Sequence, residues 1–374
     1  MLWPTELKIA GATVPLAGVL ADCTIRHGRE DVTADPQAAT MQLTLLGVTH
    51  AQSKAFKINS SVVLNVRDGT GPTVPRFTGV VTDASLDEDR LTLIAVGPIA
   101  TLPRYVIGGT VDWPEETWSA RVTRVFTEAG ISSTLVLVTP VFNPVLVMRD
   151  HLTAGDTTLG DYLAFLAPMI GAAVVDRPDG KILVQPIDTR TLATAVALPP
   201  ALVAYVPTWL QDLPHGNRVT VRYTGDQSQE VTVSDSASIS AYGAVFPATI
   251  DTTFKLTADA TTRANTRLAR SAYSHWNMPA ASLLEPMDLA VGTPVLVDSM
   301  PASAPYTPWS PILEGWTDSI AGDEWTMTLA LSDPLDSGLT LPWNAVPVTA
   351  TYHWDTINPT VKWSEALTLE DLAA

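Results

Sequence analysis

The residues best able to do chemistry in this chain are two short acidic runs. The runs Asp87, Glu88, Asp89 and Asp323, Glu324 supply neighbouring carboxylates, the groups that glycosidases use to protonate and attack a glycosidic bond. Each run also separates the two apolar arms of a predicted hairpin, and Asp and Glu are common in solvated turns. We therefore interpret both runs as turns and predict no catalytic residue in them.

The sequence also lacks the spacings that bind metals or nucleotides. It contains no HEXXH or HXH pattern, no Walker A loop and no GxSxG motif. We predict no metal, no cofactor and no enzymatic activity, and we expect the only cysteine, Cys23, to be a small core residue. The six histidines are scattered along the chain: His27, His50, His151, His215, His275 and His353.

The composition excludes several classes of protein. The net charge of −17 argues against a broad basic surface for nucleic acid, and a single cysteine forms no internal disulfide, as expected for folding in a reducing cytosol. The first residues lack the basic and apolar regions of a signal peptide, and no run of 18 apolar residues predicts a membrane span.

One basic stripe stands out in this acidic chain. Arg263, Arg267 and Arg270 recur at helical spacing on one face of a predicted helix. They form either a solvated helix face or a contact with an acidic patch on a neighbouring subunit. We name them as interface candidates.

The elements that position these residues are mostly strands, and one hairpin pattern occurs twice. Residues 76–96 read RFTGVVTDASLDEDRLTLIAV, and residues 312–331 read ILEGWTDSIAGDEWTMTLAL. Both have a glycine (Gly79, Gly315), then Thr-Asp, an acidic turn and an alternating strand. The repeat predicts two similar β-barrels that superpose over roughly 12–105 and 206–335, with the two glycines equivalent.

Between the two β regions lies a predicted α/β insert. Thr117 precedes an apolar stripe that begins at Trp118, and Thr157 or Thr158 caps a second helix that Pro168 ends or kinks. Arg-Pro-Asp-Gly then predicts the turn of a hairpin. We therefore divide the chain into a first barrel (1–108), a small α/β domain (109–205), a second barrel (206–340) and a C-terminal segment (341–374).

The C-terminal segment has large aromatic residues but no core of its own. We expect it to be extended and to pack against a neighbouring domain or subunit. Its interface candidates are Trp343, Trp354 and Trp363.

The stretch CTIRHGREDVTADPQAATMQLTLLG, at 23–47, resembles the minor tail proteins of long-tailed phages, especially those of actinobacteria. The helix pair, the ILEGWTD segment and the Trp-rich tail look similar to that family as well. The chain departs from many relatives at GVTHAQSKAF, where an Asp-Gly-Arg-Phe segment often stands, which leaves that loop open. The resemblance implies a mainly β protein of the baseplate hub type.

In that family, two barrels in each of three subunits imitate a sixfold ring that caps the tail tube. The resemblance therefore implies a homotrimer in the virion, at the tail tip, assembled in the bacterial cytoplasm. Its implied partners are the tail tube, the tape measure protein, and distal and other minor tail proteins. DNA would pass without specific binding, and we expect more acidic than basic side chains on the inner face of the ring.

The alternative is a tail-tip receptor- or glycan-binding protein, or a glycan hydrolase. Aromatic-rich loops such as PYTPWSP could stack on sugars.

Overall fold

The structure is a computed structural model. It describes residues 2–14, 16, 20–30, 36–49, 56–108, 112–131, 134–149, 157–186, 189–190, 194–199, 203, 209–211, 213–224, 228–274, 276–297, 309–322 and 324–332. The chain separates into two units, Met1–Leu339 and Thr340–Ala374, and every described residue belongs to the first.

Strands dominate the described residues. In chain order they are β1 (Leu2–Ile9), β2 (Ala12–Val14), β3 (Leu20–Gly28), β4 (Thr40–Leu45), β5 (Ser61–Asp68), β6 (Thr73–Asp87), β7 (Arg90–Val96), β8 (Val106–Ile107), β9 (Glu116–Thr117), β10 (Leu135–Leu137), β11 (Val145–Leu146), β12 (Thr157–Thr158), β13 (Ala173–Asp176), β14 (Ile182–Gln185), β15 (Val196–Ala197), β16 (Leu210–Gln211), β17 (Arg218–Tyr223), β18 (Gln229–Ser234), β19 (Pro247–Asp251), β20 (Trp276–Asn277), β21 (Ala280–Leu283), β22 (Val295–Leu296), β23 (Ile312–Ala321) and β24 (Glu324–Ser332). The α-helices are α1 (Trp118–Glu128), α2 (Leu159–Ile170), α3 (Ser236–Tyr242) and α4 (Thr257–Ser271), and Pro98–Arg104 is a 3-10 helix.

One large sheet contains both predicted hairpins. Its ten strands lie in the order β2-β1-β5-β6-β7-β4-β3-β23-β24-β21. The antiparallel pairing of β3 with β23 joins strands from the two ends of the described chain. Among the described strands this sheet does not close into a barrel. The protein is therefore mainly β, and the two-barrel arrangement remains a prediction.

Alternation along the strands explains which side of the sheet is buried. In β4, Met41 and Leu43 are buried while Thr40 and Gln42 are exposed, as the period of two in a strand requires. The buried side chains of β1 to β7 form one core with Cys23, which is 1% exposed. Cys23 is therefore a core residue, as expected from the sequence.

The two helices predicted in the insert are confirmed. Thr117 caps α1 by accepting from the backbone N–H of Ala120, and Thr158 caps α2 by accepting from that of Asp161. Pro168 lies inside α2, which continues to Ile170. The predicted hairpin is also present, as β13 and β14.

Strands β17 and β18 lie elsewhere than predicted. We expected them in the second barrel, but with β19 they form a separate three-stranded sheet. Val219 and Val221 share a core with Ala260 and Ala264 of α4 and with Trp118 of α1. The reason is that the apolar side of this sheet is covered by helices and not by the strands of the second hairpin.

The second hairpin nevertheless repeats the pairings of the first. In the first region β6 pairs with β7, β7 with β4, and β4 with β3; in the second, β23 pairs with β24, β24 with β21, and Val203 bridges Leu283 of β21. Both hairpins also turn through two residues between the last pairs, Asp87 with Arg90 and Ala321 with Glu324. The duplicated sequence pattern thus corresponds to a duplicated order of strands.

The shared Thr-Asp motif, however, is out of register by one residue. Counting back from each turn makes Asp83 equivalent to Thr317, and Ala84 equivalent to Asp318. The cause is the length of the strand between the motif and the turn: Asp83 lies four residues before Asp87, whereas Asp318 lies three residues before Ala321. The bulges lie farther from the turn, between Val81 and Asp83 in β6 and between Leu313 and Gly315 in β23. Matching the cross-strand partners makes Val80, opposite Val96, equivalent to Gly315, opposite Ala330, so the prediction that Gly79 and Gly315 are equivalent is corrected.

Candidate functional site

The bulge of β23 places the carboxylate of Glu314 at the centre of a buried cluster of charged side chains. Glu314 is fully buried, and its Oε2 accepts from Arg29 Nε at 3.0 Å and Nη2 at 2.7 Å. Arg190 Nη1 donates to both carboxylate oxygens, at 2.9 and 3.0 Å, and the Ser332 hydroxyl donates to Oε1 at 2.7 Å. A bulge redirects a side chain in this way because it places two residues opposite one.

The two arginines keep this carboxylate charged. Burial raises the pKa of Glu314, but Arg190 and Arg29 outweigh burial and hold that pKa below its usual value. Burial lowers the pKa of Arg190 to about 10, which Glu314 opposes. The cluster is therefore ionic at neutral pH, with two cations around one anion.

The backbones cross closely beside this cluster. Gly28 has φ +77°, and a Cβ on it would overlap the Glu314 carbonyl oxygen. A Cβ on Gly315 would lie 2.5 Å from the His27 carbonyl oxygen. Glycine is needed at both positions because β3 and β23 approach more closely than side chains allow.

A second buried ion pair joins the two hairpins directly. Arg76 of β6 donates through Nε and Nη2 to both oxygens of Asp318 of β23, each at 2.8 Å, and both residues are 2% exposed or less. Trp325 Nε1 donates to the same carboxylate at 3.1 Å, and Arg76 Nη1 donates to the Met287 carbonyl at 3.0 Å. A bidentate pair of this kind fixes orientation as well as charge.

His27 packs within this second cluster. Its ring centroid lies 5.0 Å from that of Trp316, and its Nε2 lies 2.9 Å from the Arg76 carbonyl oxygen, so that Nε2–H donates. Burial lowers the pKa of His27 to about 4, although the hydrogen bond to the Arg76 carbonyl opposes the shift. The ring is therefore neutral at pH 7.

A third buried carboxylate, that of Asp176, connects the middle region of the chain to the first region. Asp176, at the end of β13, accepts from the backbone N–H of Ala39 at 2.8 Å and of Ile99 at 2.9 Å. Gly97 lies against this carboxylate, and a Cβ there would overlap it. Burial raises the pKa of Asp176 to about 7, while the two N–H donors oppose the rise.

Together these contacts form a joint and not a reaction centre. We use the name buried joint for Arg29, Arg76, Asp176, Arg190, Glu314 and Asp318. Each carboxylate is 1% exposed or less and is held by arginines or backbone N–H groups. Such groups reach no substrate, but they fix the relative positions of the first hairpin, the second hairpin and the middle region.

The predicted basic stripe is largely inside the chain. Arg263 and Arg270 are 7% exposed, and Arg263 Nη2 donates to the Pro168 carbonyl at 3.0 Å near the end of α2. Arg267 is half-buried. The apolar face of α4 at Ala260 and Ala264 is buried, as predicted. A contact of the stripe with a neighbouring subunit remains a prediction.

The other predicted residues either are exposed in turns or lie outside the described residues. Asp87, Glu88 and Asp89 are exposed in the turn of the first hairpin, and Glu324 is exposed in the second. The interface candidates Trp343, Trp354 and Trp363 lie outside the described residues and stay predictions. Also outside the described residues are His50, His151, His275, Asp323 and His353. Within the described ranges, no group of three His, Cys, Asp or Glu residues could hold a metal ion, and no helix is long and apolar enough to cross a membrane.

Trp309 does not support the sugar-binding alternative. Trp309, in the loop PYTPWSP, is 3% exposed and packs edge-on against Trp209, so its ring cannot stack on a sugar. A groove of about 280 Å³ is lined by residues such as Gly79, Tyr105 and Ile182, with little polar surface.

Sequence reasoning missed most of the joint. The alternating pattern predicts Arg76 and Glu314 only as members of strands, although a charged residue inside an apolar run (VPRFTGVV, ILEGW) is a signal of a buried, paired charge. Arg190 carries no such signal. Its partner is 124 residues away, so only the fold shows the pair.

Comparison with known proteins identifies the fold. No protein-family model and no curated protein matches the sequence. The structure is similar to the 43 kDa tail protein of prophage MuSo2 from Shewanella oneidensis, with a TM-score of 0.60 and 16% identity over 90% of this chain and 100% of that one. It is similar to a tail protein from Neisseria meningitidis MC58 as well, with a TM-score of 0.59 and 13% identity over 90% and 99% of the two chains.

A third similar structure comes from a secretion machine. It is a component of the E. coli type VI secretion system that is itself structurally similar to the T4 bacteriophage tail proteins gp27 and gp5. Its TM-score is 0.53, with 12% identity over 88% of this chain and 77% of that one. The chain therefore has a fold that tail proteins of prophages share with a type VI secretion component.

Proposed function

We propose that this protein is a structural component of a long-tailed phage, a baseplate hub at the tip of the tail. The observation that carries the proposal is the repeat of strand pairings within one chain, in a fold similar to those tail proteins over about nine-tenths of the chain. A duplicated unit lets a small number of subunits present twice as many similar surfaces.

The two hairpin regions of each chain would act as its two barrels. Three copies would then present six similar units to a sixfold tube. The partners would be the tail tube, the tape measure protein and other distal or minor tail proteins, with DNA passing through without specific binding. An uncharged or acidic channel suits this role because it does not hold phosphates. The buried joint contributes by fixing the two hairpin regions of each chain in one orientation.

Electron microscopy of the purified full-length protein tests this role. We expect rings with threefold symmetry, with six similar densities around a channel. Monomers at all concentrations, or particles without threefold symmetry, would contradict the proposal. A filter-binding assay with duplex DNA adds a second test, in which salt-sensitive binding by the assembled ring would argue against free passage.

A further inference from the structure

Three arginines of the buried joint present the same edge of the guanidinium group to different surroundings. This edge consists of Nε–H and one N–H of Nη2, which lie side by side and can hold one anion between them. In Arg29 both groups donate to Glu314 Oε2, at 3.0 and 2.7 Å. In Arg76 they donate to the two oxygens of Asp318, each at 2.8 Å. We call this pair of N–H groups the guanidinium fork.

The fork of Arg190 has no acceptor among the described residues. The Arg190 side chain is 0% exposed, and its Nε and Nη2 are both buried without a hydrogen-bond partner. Its Nη1, by contrast, donates to Glu314 at 2.9 and 3.0 Å. Buried N–H groups of folded proteins are nearly always paired, and an unpaired donor on a charged group is especially unfavourable. Two such donors on one cation therefore call for an acceptor.

Glu314 cannot supply that acceptor. Its Oε1 accepts from Arg190 Nη1 and from the Ser332 hydroxyl, and its Oε2 accepts from Arg190 Nη1 and twice from Arg29. A carboxylate has about four lone-pair directions, and these contacts use all of them. The acceptor for the fork of Arg190 must therefore be a different group.

The charge of the cluster indicates that this group is an anion. Arg29 and Arg190 supply two positive charges and Glu314 supplies one negative charge, which leaves a net charge of +1 in a buried place. Burial lowers the pKa of Arg190 to about 10, so its guanidinium is still protonated at pH 7. The neighbouring pair of Arg76 and Asp318 is neutral and does not balance the excess. A buried charge without a counterion is strongly unfavourable.

We propose that the fork of Arg190 binds a chloride ion inside the folded chain. Chloride carries the single negative charge that the cluster needs, and it accepts from both N–H groups at once. A phosphate or sulfate would bring several oxygens, each in need of a donor, to a place where Arg190 and Glu314 are both 0% exposed. This site would form in each chain by itself and does not depend on the assembly proposed above.

A chloride site makes the stability of the chain depend on chloride concentration. A ligand that binds only the folded chain lowers the unfolding constant by the factor 1 + [chloride]/Kd. At a chloride concentration of about 100 times the Kd, the unfolding constant falls about 100-fold. The dependence saturates with a single site, which distinguishes it from a general effect of salt.

Urea unfolding of the full-length protein tests this dependence. Sodium gluconate is replaced stepwise by sodium chloride at constant ionic strength, so that the screening of other charges stays the same. We expect the unfolding constant to decrease with chloride and then to level off. An unfolding constant that is unchanged by the exchange would overturn the proposal.

Two variants in the same cluster assign the effect to one fork. Arg190→Lys keeps the positive charge beside Glu314 but removes the fork, so its stability should no longer depend on chloride. Arg29→Lys is the matched control, because it removes a fork that already donates to Glu314 and should keep the chloride dependence. Equal dependence on chloride in Arg190→Lys and in the wild type would contradict the site.

Bromide detects the site without any variant, in case either substitution prevents folding. Crystals of the wild-type protein are grown in sodium bromide, and the anomalous scattering of bromine is measured. We expect an anomalous peak within hydrogen-bond distance of both Nε and Nη2 of Arg190. A water molecule at this position, or bromide bound only at the protein surface, would overturn the proposal.

Discussion

The two hairpins differ in what they do with nearly the same sequence. Both contain Thr-Asp a few residues after a glycine, yet Asp83 is exposed and Asp318 is fully buried against Arg76. Side chains alternate between the two faces of a strand, so the one-residue offset in the distance from motif to turn sends the two carboxylates to opposite faces. A repeated motif therefore predicts a repeated hairpin but not a repeated role for each residue.

As a result, the buried charged side chains of the two hairpins have opposite signs. The second hairpin supplies Glu314 and Asp318, and the first supplies Arg76. The two regions are thus complementary within one chain, in addition to being similar. Substitutions at matched positions can test each part of the comparison.

The largest effect is expected at the bulge. Glu314→Gln leaves Arg29 and Arg190 buried without an anion, and breaking a buried ion pair from one side costs about 3–5 kcal/mol. The free energy of unfolding, measured by urea denaturation monitored by tryptophan fluorescence, checks this. Glu324→Gln, at an exposed site on the same hairpin, should change it by less than about 0.5 kcal/mol.

The two Thr-Asp motifs should respond differently. Asp318→Asn leaves Arg76 without its counterion, and we expect a loss of about 3 kcal/mol. Asp83→Asn should change stability by less than about 0.5 kcal/mol. Equal losses in the two variants, measured by thermal and urea unfolding, would show that the register offset has no energetic consequence.

Acidification should act through His27. The pKa of His27 is about 4 in the folded protein, against 6.5 as the ordinary value. Between pH 6.5 and 4 the unfolded chain binds a proton at His27 and the folded chain does not, so stability falls as the pH decreases. The shift corresponds to roughly 3 kcal/mol.

Variants isolate that contribution from other titrating groups. The stability difference between wild type and His27→Gln should decrease by the amount above from pH 7 to pH 4. His215→Gln, at an exposed position, serves as the control.

The raised pKa of Asp176, about 7, acts in the opposite direction: the stability that Asp176 contributes is present at low pH and is lost as the pH rises toward 7. A wild-type profile that is flat in this range is therefore compatible with both groups.

The smallest effects are expected at the two turns. Glu88 has φ +53° and its equivalent Gly322 has φ +58°, a region that costs other L-residues about 1 kcal/mol relative to glycine. Glu88→Gly should raise the melting temperature and Gly322→Ala should lower it, each through a change of about 1 kcal/mol. Shifts of the same sign in both variants would contradict the equivalence of the turns.

Local features of the fold could be predicted from the sequence, and long-range ones could not. Helices α1 and α2, with caps at Thr117 and Thr158, follow from periodicity and capping residues. The hairpins follow from alternation and turn residues. The sequence wrongly predicts β17 and β18 as part of the second barrel, because an apolar strand does not specify whether a helix or another strand covers it.

The buried joint was beyond sequence reasoning for a related reason. Arg76 and Glu314 lie on apolar strands, and this position indicates that their charges are buried. Their partners are distant in the sequence, however: Asp318 is 242 residues from Arg76, and Arg29 is 285 residues from Glu314. The bulges in β6 and β23 also leave no clear mark in the sequence. One residue of offset was enough to make two similar motifs unequal.

The pairing of β3 with β23 has a consequence for how the chain is made. The partners are separated by almost the whole described chain, as the 285 residues between Arg29 and Glu314 illustrate. At a synthesis rate of roughly 5–20 residues per second, β3 leaves the ribosome on the order of 15–60 s before β23. During that time its edge can pair with other nascent chains. Completion of the sheet is therefore expected to be a late and slow folding step, sensitive to chaperones and to expression rate.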